Sequence, residues 1–242
     1  MGALARLLAA WDTRDDGSPA AVLPLSPAAL TADPVLSKLF AAPSLTLRLA
    51  GPSAESTWVI TESQLPGLWQ VLAGSGHGSP ISCQLELGAC PARVATGAAA
   101  VALPPRAVPT QAPRPELSEL WLGIRQALGA VACDTAPRVF NLSVLKLERE
   151  DRDALAQALG HAAVMGRLEG QFLRLIFSTR LQRVWRVQYL DANSRVQVDT
   201  LEIGVLPECL AATPAELECS LARLRVLQPS ALATVATQRR HP

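Results

Sequence analysis

Apolar and polar residues alternate along two neighbouring segments in the C-terminal half of the chain. Between Val184 and Tyr189, the residues Val184, Arg186 and Gln188 alternate with Trp185, Val187 and Tyr189. A period of two is typical of a half-buried strand. The run 191–194 (Asp-Ala-Asn-Ser) favours a turn, and a second apolar segment, 196–203, follows it and ends before Pro207. The pattern therefore predicts a β-hairpin over residues 184–207.

Apolar residues at helical spacing and shorter alternating runs predict helices mixed with strands elsewhere. Two of the helix starts have an N-cap residue followed by proline, Asp33-Pro34 and Thr213-Pro214. Pro24 confines its strand to a position outside the centre of a sheet. The predicted helices are 3–11, 33–40, 116–131, 151–159 and 213–224; the predicted strands are 21–25, 45–49, 139–145 and 173–177, with a further hairpin formed by 58–72 and 81–87.

The hairpin has a counterpart 116 residues earlier in the chain. Residues 60–72 match residues 176–188, and at the same offset Leu85–Pro91 match Leu201–Pro207, where four of seven positions are identical. Two matching blocks in one register indicate an internal repeat. We expect the tryptophans to be core anchors and the glutamates to lie on the solvent face of the return strand. The repeated anchor residues are Trp69, Trp185, Glu86, Glu202, Gly88, Gly204, Pro91 and Pro207.

A proline-rich segment separates the two copies. Five prolines fall between residues 104 and 115, and such a run favours an extended linker over a helix or a sheet ladder. We therefore predict a divergent N-terminal repeat over 1–96, a linker over 97–115 and a C-terminal repeat over 116–242. The predicted fold class is α+β, with two tandem copies of a helix–strand–helix–strand–hairpin unit.

Composition and charge exclude several classes of function. The net charge of +1 provides no basic surface for a nucleic acid or an anionic membrane. The N-terminal apolar run soon meets Asp12 and is too short for a spanning helix, so we expect a cytoplasmic protein. The glycine-rich stretch 74–80 leads into a strand, which favours a flexible turn over a phosphate-binding loop.

The sequence contains no recognisable catalytic motif and no cysteine–histidine cluster at metal-ligand spacing. The five cysteines and three histidines are scattered, which favours buried or partly buried thiols in a reducing compartment. Glu86 and Glu202 as paired carboxylates form an alternative to the solvent-face interpretation. Cys90, Cys209 and Cys219 are the candidates for a redox or metal-handling role. We predict no catalytic residues, no metal site and no bound cofactor.

Four short segments of the C-terminal half form a distinctive set: Phe140-Asn141-Leu142-Ser143-x-Leu145, Val184-Trp185-x-Val187-Gln188-Tyr189, Thr200-Leu201-Glu202 and Pro207-Glu208-x-x-Ala211-Ala212. These segments resemble the HupH/HyaF family of hydrogenase expression/formation proteins. A looser resemblance to the first copy in that family covers Ile60–Trp69 and Leu85–Gly88. Ahead of the final hairpin the family has a glycine-rich segment with a cysteine, and this chain has Leu173 at that position.

The resemblance implies a non-enzymatic accessory chaperone for an uptake nickel–iron hydrogenase. Its expected partners are the iron–sulfur small-subunit precursor, before twin-arginine export, and a thioredoxin-like hydrogenase accessory protein. Two alternatives stay open. One is a thiol- or metal-handling maturation factor that uses Cys90, Cys209 or Cys219, and the other is a stand-alone dimerising scaffold.

Overall fold

A computed structural model describes residues 2–14, 20–50, 56–75, 80–97, 109, 114–131 and 136–227. The predicted linker, apart from residues 97, 109, 114 and 115, lies outside these residues, as do Cys133 and most of the glycine-rich stretch. The helices are α1 (Ala3–Asp12), α2 (Pro27–Ala32), α3 (Pro34–Leu39), α4 (Ala92–Gly97), α5 (Pro115–Ala130), α6 (Arg149–Leu159) and α7 (Pro214–Leu227), with a single 3-10 turn at Glu208–Leu210. The strands are β1 (Ala20–Leu25), β2 (Leu45–Ala50), β3 (Ser56–Glu62), β4 (Leu68–Ser75), β5 (Ser82–Gly88), β6 (Arg138–Asn141), β7 (Val164–Leu168), β8 (Leu173–Ser178), β9 (Val184–Leu190) and β10 (Val196–Ile203).

The ten strands form one antiparallel sheet in the order β1-β5-β4-β3-β2-β7-β8-β9-β10-β6. The first five strands follow the order 1-5-4-3-2 from one edge, and the last five follow the same order from the other edge. The two halves meet where β2 pairs with β7, and Leu47 lies opposite Gly166 at the middle of that pairing. A Cβ at Gly166 would lie 2.6 Å from Leu47 Cδ2. Glycine therefore permits the close approach of the two halves.

One face of the sheet carries helices in two separate clusters. The cluster on the first half joins α1, α2, α3 and α7 to β1, β4 and β5; its members include Leu7, Leu36, Leu68, Leu85 and Leu224. The cluster on the second half joins α5 and α6 to β9 and β10; its members include Trp121, Ile124, Leu155, Val184 and Leu201. Helices α1 and α5 thus occupy corresponding places, each followed by an edge strand.

The opposite face of the sheet has a third cluster that extends across both halves. Trp69 and Trp185 lie in it, together with the central residues of β2, and Val94 of α4 and Leu210 of the 3-10 turn pack against them. Ile60, Ile176 and Val187 in this cluster are fully buried. The clusters cover both faces of the sheet at the starts of β4 and β9, so Leu68 and Trp69, and likewise Val184 and Trp185, are buried although neighbours face opposite sides.

Helix α7 packs on the first half of the sheet although it comes last in the described chain. Leu221 and Leu224 belong to the first cluster, and the Arg225 Nη2 atom lies 3.0 Å from Asp12 Oδ1 at the end of α1. The backbone N–H of Ala212 also donates to the carbonyl of Ala89 at 2.7 Å. The two halves are therefore joined by a helix as well as by the shared sheet.

Most predicted elements are confirmed, and their end signals act as expected. Asp33 caps α3 by accepting from the N–H groups of Val35 and Leu36, and Gly160 ends α6 with a φ of 55°. Thr213 and Glu216 form the reciprocal capping bonds at the start of α7. Pro24 lies on the edge strand β1, as its missing N–H requires.

Two predicted elements are wrong in their extent, and some observed elements were not predicted. The segment 58–72 forms two strands, because the chain turns at Gly67, whose φ of 84° favours glycine. The strand predicted at 139–145 stops at Asn141, whose side chain accepts from the N–H of Ser143 and begins a turn. Strand β7 and helix α2 were not predicted. Each half is thus a helix, an edge strand, one or two helices and four further strands.

Candidate functional site

The same tight turn precedes β4 in the first half and β9 in the second. In the first turn the Ser63 hydroxyl accepts from Leu65 N at 3.0 Å and donates to Leu65 O at 2.9 Å. In the second, Thr179 makes the corresponding bonds to Leu181 at 3.2 and 3.1 Å. Both hydroxyl residues are buried. A short hydroxyl side chain at this position satisfies backbone groups that the turn leaves without a ladder partner.

Gly88 and Gly204, which match at the offset of 116, donate backbone hydrogen bonds to these turns. Gly88 N donates to the carbonyl of Gly67 at 2.9 Å, and Gly204 N donates to the carbonyl of Arg183 at 3.0 Å. Gly67 and Arg183 are themselves 116 residues apart, and both have positive φ angles. The backbone conformation is therefore the same at the two sites although only one of the two turn residues is glycine.

Glu86 and Glu202 are buried, so the prediction that they lie on the solvent face is wrong. Glu86 is fully buried and Glu202 is 5% exposed. Glu86 Oε2 accepts from Ala92 N at 2.7 Å, and Glu202 Oε2 accepts from Glu208 N at 3.0 Å. The third cluster covers the sheet face on which these carboxylates lie, and a backbone N–H compensates for the lost water.

The remaining bonds of the two carboxylates differ. Glu86 Oε1 also accepts from Gln84 Nε2 at 2.7 Å. Burial raises the pKa of Glu202, the Glu208 N–H partly opposes that rise, and the Glu208 carboxylate adds to it. Each glutamate contacts the helical turn that follows its own strand. The paired-carboxylate interpretation therefore has no geometric support among these contacts.

The matched residues Trp69, Trp185, Pro91 and Pro207 are all buried. Trp69 is 1% exposed and Trp185 is 4% exposed, and both lie in the third cluster. The Trp69 indole N–H donates to the carbonyl of Gly88 at 3.1 Å. Pro91 O accepts from Val94 N, and Pro207 O accepts from Leu210 N, both at 3.0 Å. These contacts place the short helical turns against the sheet face that the tryptophans share.

Four cysteines lie within the described residues, and all are free thiols. Burial raises the pKa of Cys90 to about 11, with a further contribution from Glu86, and burial raises the pKa of Cys209 to about 12, with a further contribution from Glu202. Burial also raises the pKa of Cys83. Cys219 is exposed on α7. At neutral pH the thiols of Cys90 and Cys209 are therefore protonated, and a protonated thiol is a weak nucleophile or ligand.

Two arginines that the sequence did not single out lie at the third cluster. The Arg93 guanidinium stacks 3.4 Å from the centre of the Trp58 ring, and the Arg174 guanidinium lies 5.3 Å from the Tyr189 ring centre. Position 174 corresponds to position 58 at the offset of 116. The two halves thus place an arginine beside an aromatic ring from different elements, α4 in the first and β8 in the second.

Glu62 is a partly buried carboxyl group beside the first turn. Burial raises its pKa to about 7, the N–H of Gly67 opposes the rise, and the charge of Glu216 adds to it. The Gly67 N–H donates to Glu62 Oε1 at 3.0 Å. Since Glu216 caps the start of α7, the Glu62 carboxyl group lies close to the point where α7 begins on the first half of the sheet. Its hydrogen bond from Gly67 N indicates a structural role in the turn beside that helix.

Metal-ligating side chains do not converge in the part of the chain that the structure describes. No group of three or more histidine, cysteine, aspartate or glutamate residues there lies close enough to hold a metal ion. Leu173, at the position of the family's cysteine, is the first residue of β8 and pairs with Leu190. None of the described helices is long and apolar enough to cross a bilayer.

Residues 118–229 match the family model described as the C-terminal conserved region of the HupH hydrogenase expression protein. That range extends from α5 to α7 and includes the Thr179 turn and the 3-10 turn at Glu208–Leu210. The second half of this chain has the conserved C-terminal region of the HupH family of hydrogenase expression/formation proteins. The second half of the sheet is thus the part that the HupH model describes, and the first half lies outside it.

Curated HupH relatives extend the similarity beyond this region. The chain is 33% identical over 174 residues to hydrogenase expression/formation protein HupQ of Azotobacter chroococcum, covering 70% of this chain and 61% of that protein. It is 30% identical over 173 residues to HupH of Rhodobacter capsulatus, covering 69% and 59% respectively. It is 27% identical to hydrogenase-1 operon protein HyaF of Escherichia coli, covering 68% and 58%. The chain spans about three fifths of the length of these relatives.

A solved structure is also similar to this chain. The hydrogenase expression protein HupH from Thiobacillus denitrificans is 22% identical, with a TM-score of 0.41; the match covers 46% of this chain and 92% of that chain.

Proposed function

We propose that this chain is an accessory chaperone in the maturation of an uptake nickel–iron hydrogenase. In this proposal it acts in the cytoplasm and binds the precursor of the iron–sulfur small subunit before export, together with a thioredoxin-like accessory protein. The observation that carries the proposal is the match to the HupH family, because the related proteins are named as hydrogenase expression/formation proteins. The chain's own contacts then favour binding over catalysis.

The structural roles of the buried polar groups support a binding protein. Glu86 and Glu202 hold backbone N–H groups, and the raised pKa values of Cys90 and Cys209 keep those thiols protonated. A reactive cysteine requires a lowered pKa and an accessible environment. Cys219 is exposed, but it lies on helix α7, which packs on the first cluster. We therefore favour a chaperone over a thiol- or metal-handling enzyme.

We further propose that the two halves are tandem copies of one α+β unit, over 1–96 and 116–242, joined by the proline-rich segment 97–115. The support is the recurrence of individual hydrogen bonds at one offset: the Ser63 and Thr179 turns, the Gly88 and Gly204 bonds, and the two glutamate caps. A duplicated unit with one continuous sheet provides a rigid platform for a partner.

Deletion of the gene in the bacterium that encodes it tests the role in maturation. We expect loss of uptake hydrogenase activity and accumulation of unprocessed small subunit, both restored by a plasmid copy. The triple variant Cys90→Ser/Cys209→Ser/Cys219→Ser is the matched control, and it should restore activity as the unchanged protein does. Normal activity in the deletion strain would contradict the proposal, and failure of the cysteine variant alone would favour the thiol-handling alternative.

A further inference from the structure

A groove of about 410 Å³ opens on the second half, between α6, the segment after β6 and the helix-bearing face of β9 and β10. Its floor is apolar, with Leu142, Leu147 and Leu155 each less than 9% exposed. Its polar wall contains Arg186, Gln188 and Asp199. A concave site of this volume, with an apolar floor and a few convergent polar groups, is typical of ligand-binding sites.

The polar wall is held in place by a partly buried ion pair. The Arg186 Nη2 atom lies 2.5 Å from Asp199 Oδ2, and Arg186 Nε donates to Asp199 Oδ1 at 2.9 Å. Gln188 Nε2 donates to the same carboxylate at 3.2 Å. These bonds fix the direction of all three side chains, so the wall is already arranged before a ligand arrives.

The groove also exposes part of a strand edge. Strand β6 pairs with β10 only from Thr200 to Ile203, although β10 begins at Val196. Beyond β6, the segment Leu142–Ser143 takes over: Leu142 N donates to Asp199 O, and Ser143 Oγ accepts from Asp199 N, both at 2.8 Å. Within the described residues, no strand lies beside Val196–Val198 on the side opposite β9. Val196, which lines the groove, is 47% exposed.

The described residues of the first half do not form the same polar wall at the corresponding positions. Cys83 stands where Asp199 does, and Leu72 where Gln188 does, and both pack in the first cluster. Strand β1 pairs with β5 only as far as Cys83, so Pro80–Ser82, which correspond to Val196–Val198, have no partner in β1 either, and the two halves differ in the polar wall. The ion pair is therefore not required by the fold, because the other half forms the same strands with Gln70, Leu72 and Cys83 at the positions of Arg186, Gln188 and Asp199.

The charge of the groove selects its ligand. Arg186 and Asp199 compensate each other, while the side chain of Arg152, which also lines the groove, is exposed and makes no ion pair with the described residues. An uncompensated arginine beside an unpaired strand edge is complementary to an extended peptide that carries a carboxylate. An extended segment is also the shape that an open edge of a sheet pairs with.

We propose that this groove binds an extended, acidic segment of a partner polypeptide, which pairs along Val196–Val198 and directs a carboxylate to Arg152. The inference deepens the proposed function, because it names the surface by which a client would be held. The evidence for it is separate, because it rests on the residues that line the groove and not on the family resemblance.

Peptide binding to the full chain tests the groove without any knowledge of the client. The probe is a seven-residue peptide of alternating valine and glutamate, titrated into isotope-labelled protein and followed by amide chemical shifts. We expect shifts in the amides of Leu142, Ser143 and Val196–Asp199. The same peptide with alternate backbone N-methyl groups, and a valine–lysine peptide, should each bind at least tenfold more weakly, because one cannot pair along a strand and the other carries the wrong charge.

Arg152→Glu should weaken the valine–glutamate peptide at least tenfold, with unchanged thermal unfolding, because Arg152 is exposed on α6. Arg223→Glu, the same charge change on exposed α7, is the matched control and should bind as the unchanged chain does. Equal binding by the two variants, shifts located elsewhere, or concentration-dependent shifts in the same residues without peptide would each overturn the proposal. The last result would assign the groove to a second copy of the chain.

A pull-down with the hydrogenase small-subunit precursor separates this inference from the proposed function. Capture by the unchanged chain and by Arg223→Glu, with loss in Arg152→Glu, supports both. Capture by all three overturns the groove as the client's site while the proposed function stands. No capture by the unchanged chain, with the peptide still bound in the groove, contradicts the proposed client and leaves the acidic-peptide site supported.

Discussion

The carboxylates of Glu86 and Glu202 perform the same task in the two halves of the sheet. Each accepts a hydrogen bond from the backbone N–H six residues later, at Ala92 and Glu208 respectively. Each of those residues begins a short helical turn that covers the tryptophan-containing face of the sheet. Each buried glutamate therefore fixes the direction in which the chain leaves its strand.

Glu86→Ala should lower the free energy of unfolding by about 3 kcal/mol, because it removes the buried carboxylate that accepts from Ala92 N and Gln84 Nε2. Glu86→Gln keeps an acceptor oxygen and should cost about 1 kcal/mol. Urea unfolding followed by tryptophan fluorescence measures both. Glu218→Ala, an exposed change on α7, should have little effect. Equal stability of Glu86→Ala and Glu218→Ala would show that the cap is unimportant.

The raised pKa of Glu62 predicts a pH dependence of stability. The folded pKa of about 7 lies above the ordinary value of 4.5, so between these values the folded state binds more protons than the unfolded state. The contribution of Glu62 is therefore fully present below pH 4.5 and is lost as the pH rises towards 7, by about 3 kcal/mol at most.

Glu62→Gln keeps an oxygen that accepts from Gly67 N and removes the titration. The difference in unfolding free energy between the variant and the unchanged chain should therefore grow in favour of the variant from pH 5 to pH 7.5. A constant difference across this range would contradict a raised pKa at Glu62. Urea unfolding at each pH provides the measurement.

The cysteines should differ in their rates of alkylation. Cys219 is exposed, while burial raises the pKa values of Cys90 and Cys209 to about 11 and 12. Since the thiolate is the reacting form, iodoacetamide at pH 7.5 should label Cys219 at least a hundredfold faster than either. Peptide mass spectrometry of a time course measures the rates. Comparable rates under native conditions, with all cysteines reacting alike in urea, would contradict the assigned environments.

Helix α7 should stabilise the first half of the sheet. Leu224 is fully buried in the cluster that contains α1, whereas Leu227 is 40% exposed. Leu224→Ala should cost about 3 kcal/mol and Leu227→Ala less than about 0.5 kcal/mol. Hydrogen exchange should show lost protection in α1, which is remote in sequence. Protection lost only within residues 136–227 would mean that the two halves unfold independently.

The sequence predicts the burial of Trp69 and Trp185, since it depends on local apolar patterns that recur at one offset. It does not predict the burial of Glu86, because alternation assigns the second face of a strand to solvent, and here a third cluster covers that face. The compensating N–H comes from a turn six residues later. The Arg93–Trp58 stack and the edge beyond β6 depend on how separate elements come together, which periodicity does not encode.

The turn at Gly67 shows a similar limit. Residues 58–72 contain enough apolar positions to predict one long strand, and the division into β3 and β4 follows from the buried Ser63 bonds and a positive φ. The aligned Arg183 adopts the same conformation without being glycine, so residue type alone does not identify the turn. Only the backbone bonds that both turns share reveal it.

Capture of the client tests the central claim most directly. The tagged chain, purified from cells that produce the hydrogenase, should carry the unprocessed iron–sulfur small subunit in a stoichiometric complex, measured by native mass spectrometry. Deletion of the precursor's gene should leave the tagged chain without that mass, and the mature subunit should not bind. Purified chain that carries no precursor, in cells whose hydrogenase matures normally, would contradict a chaperone role.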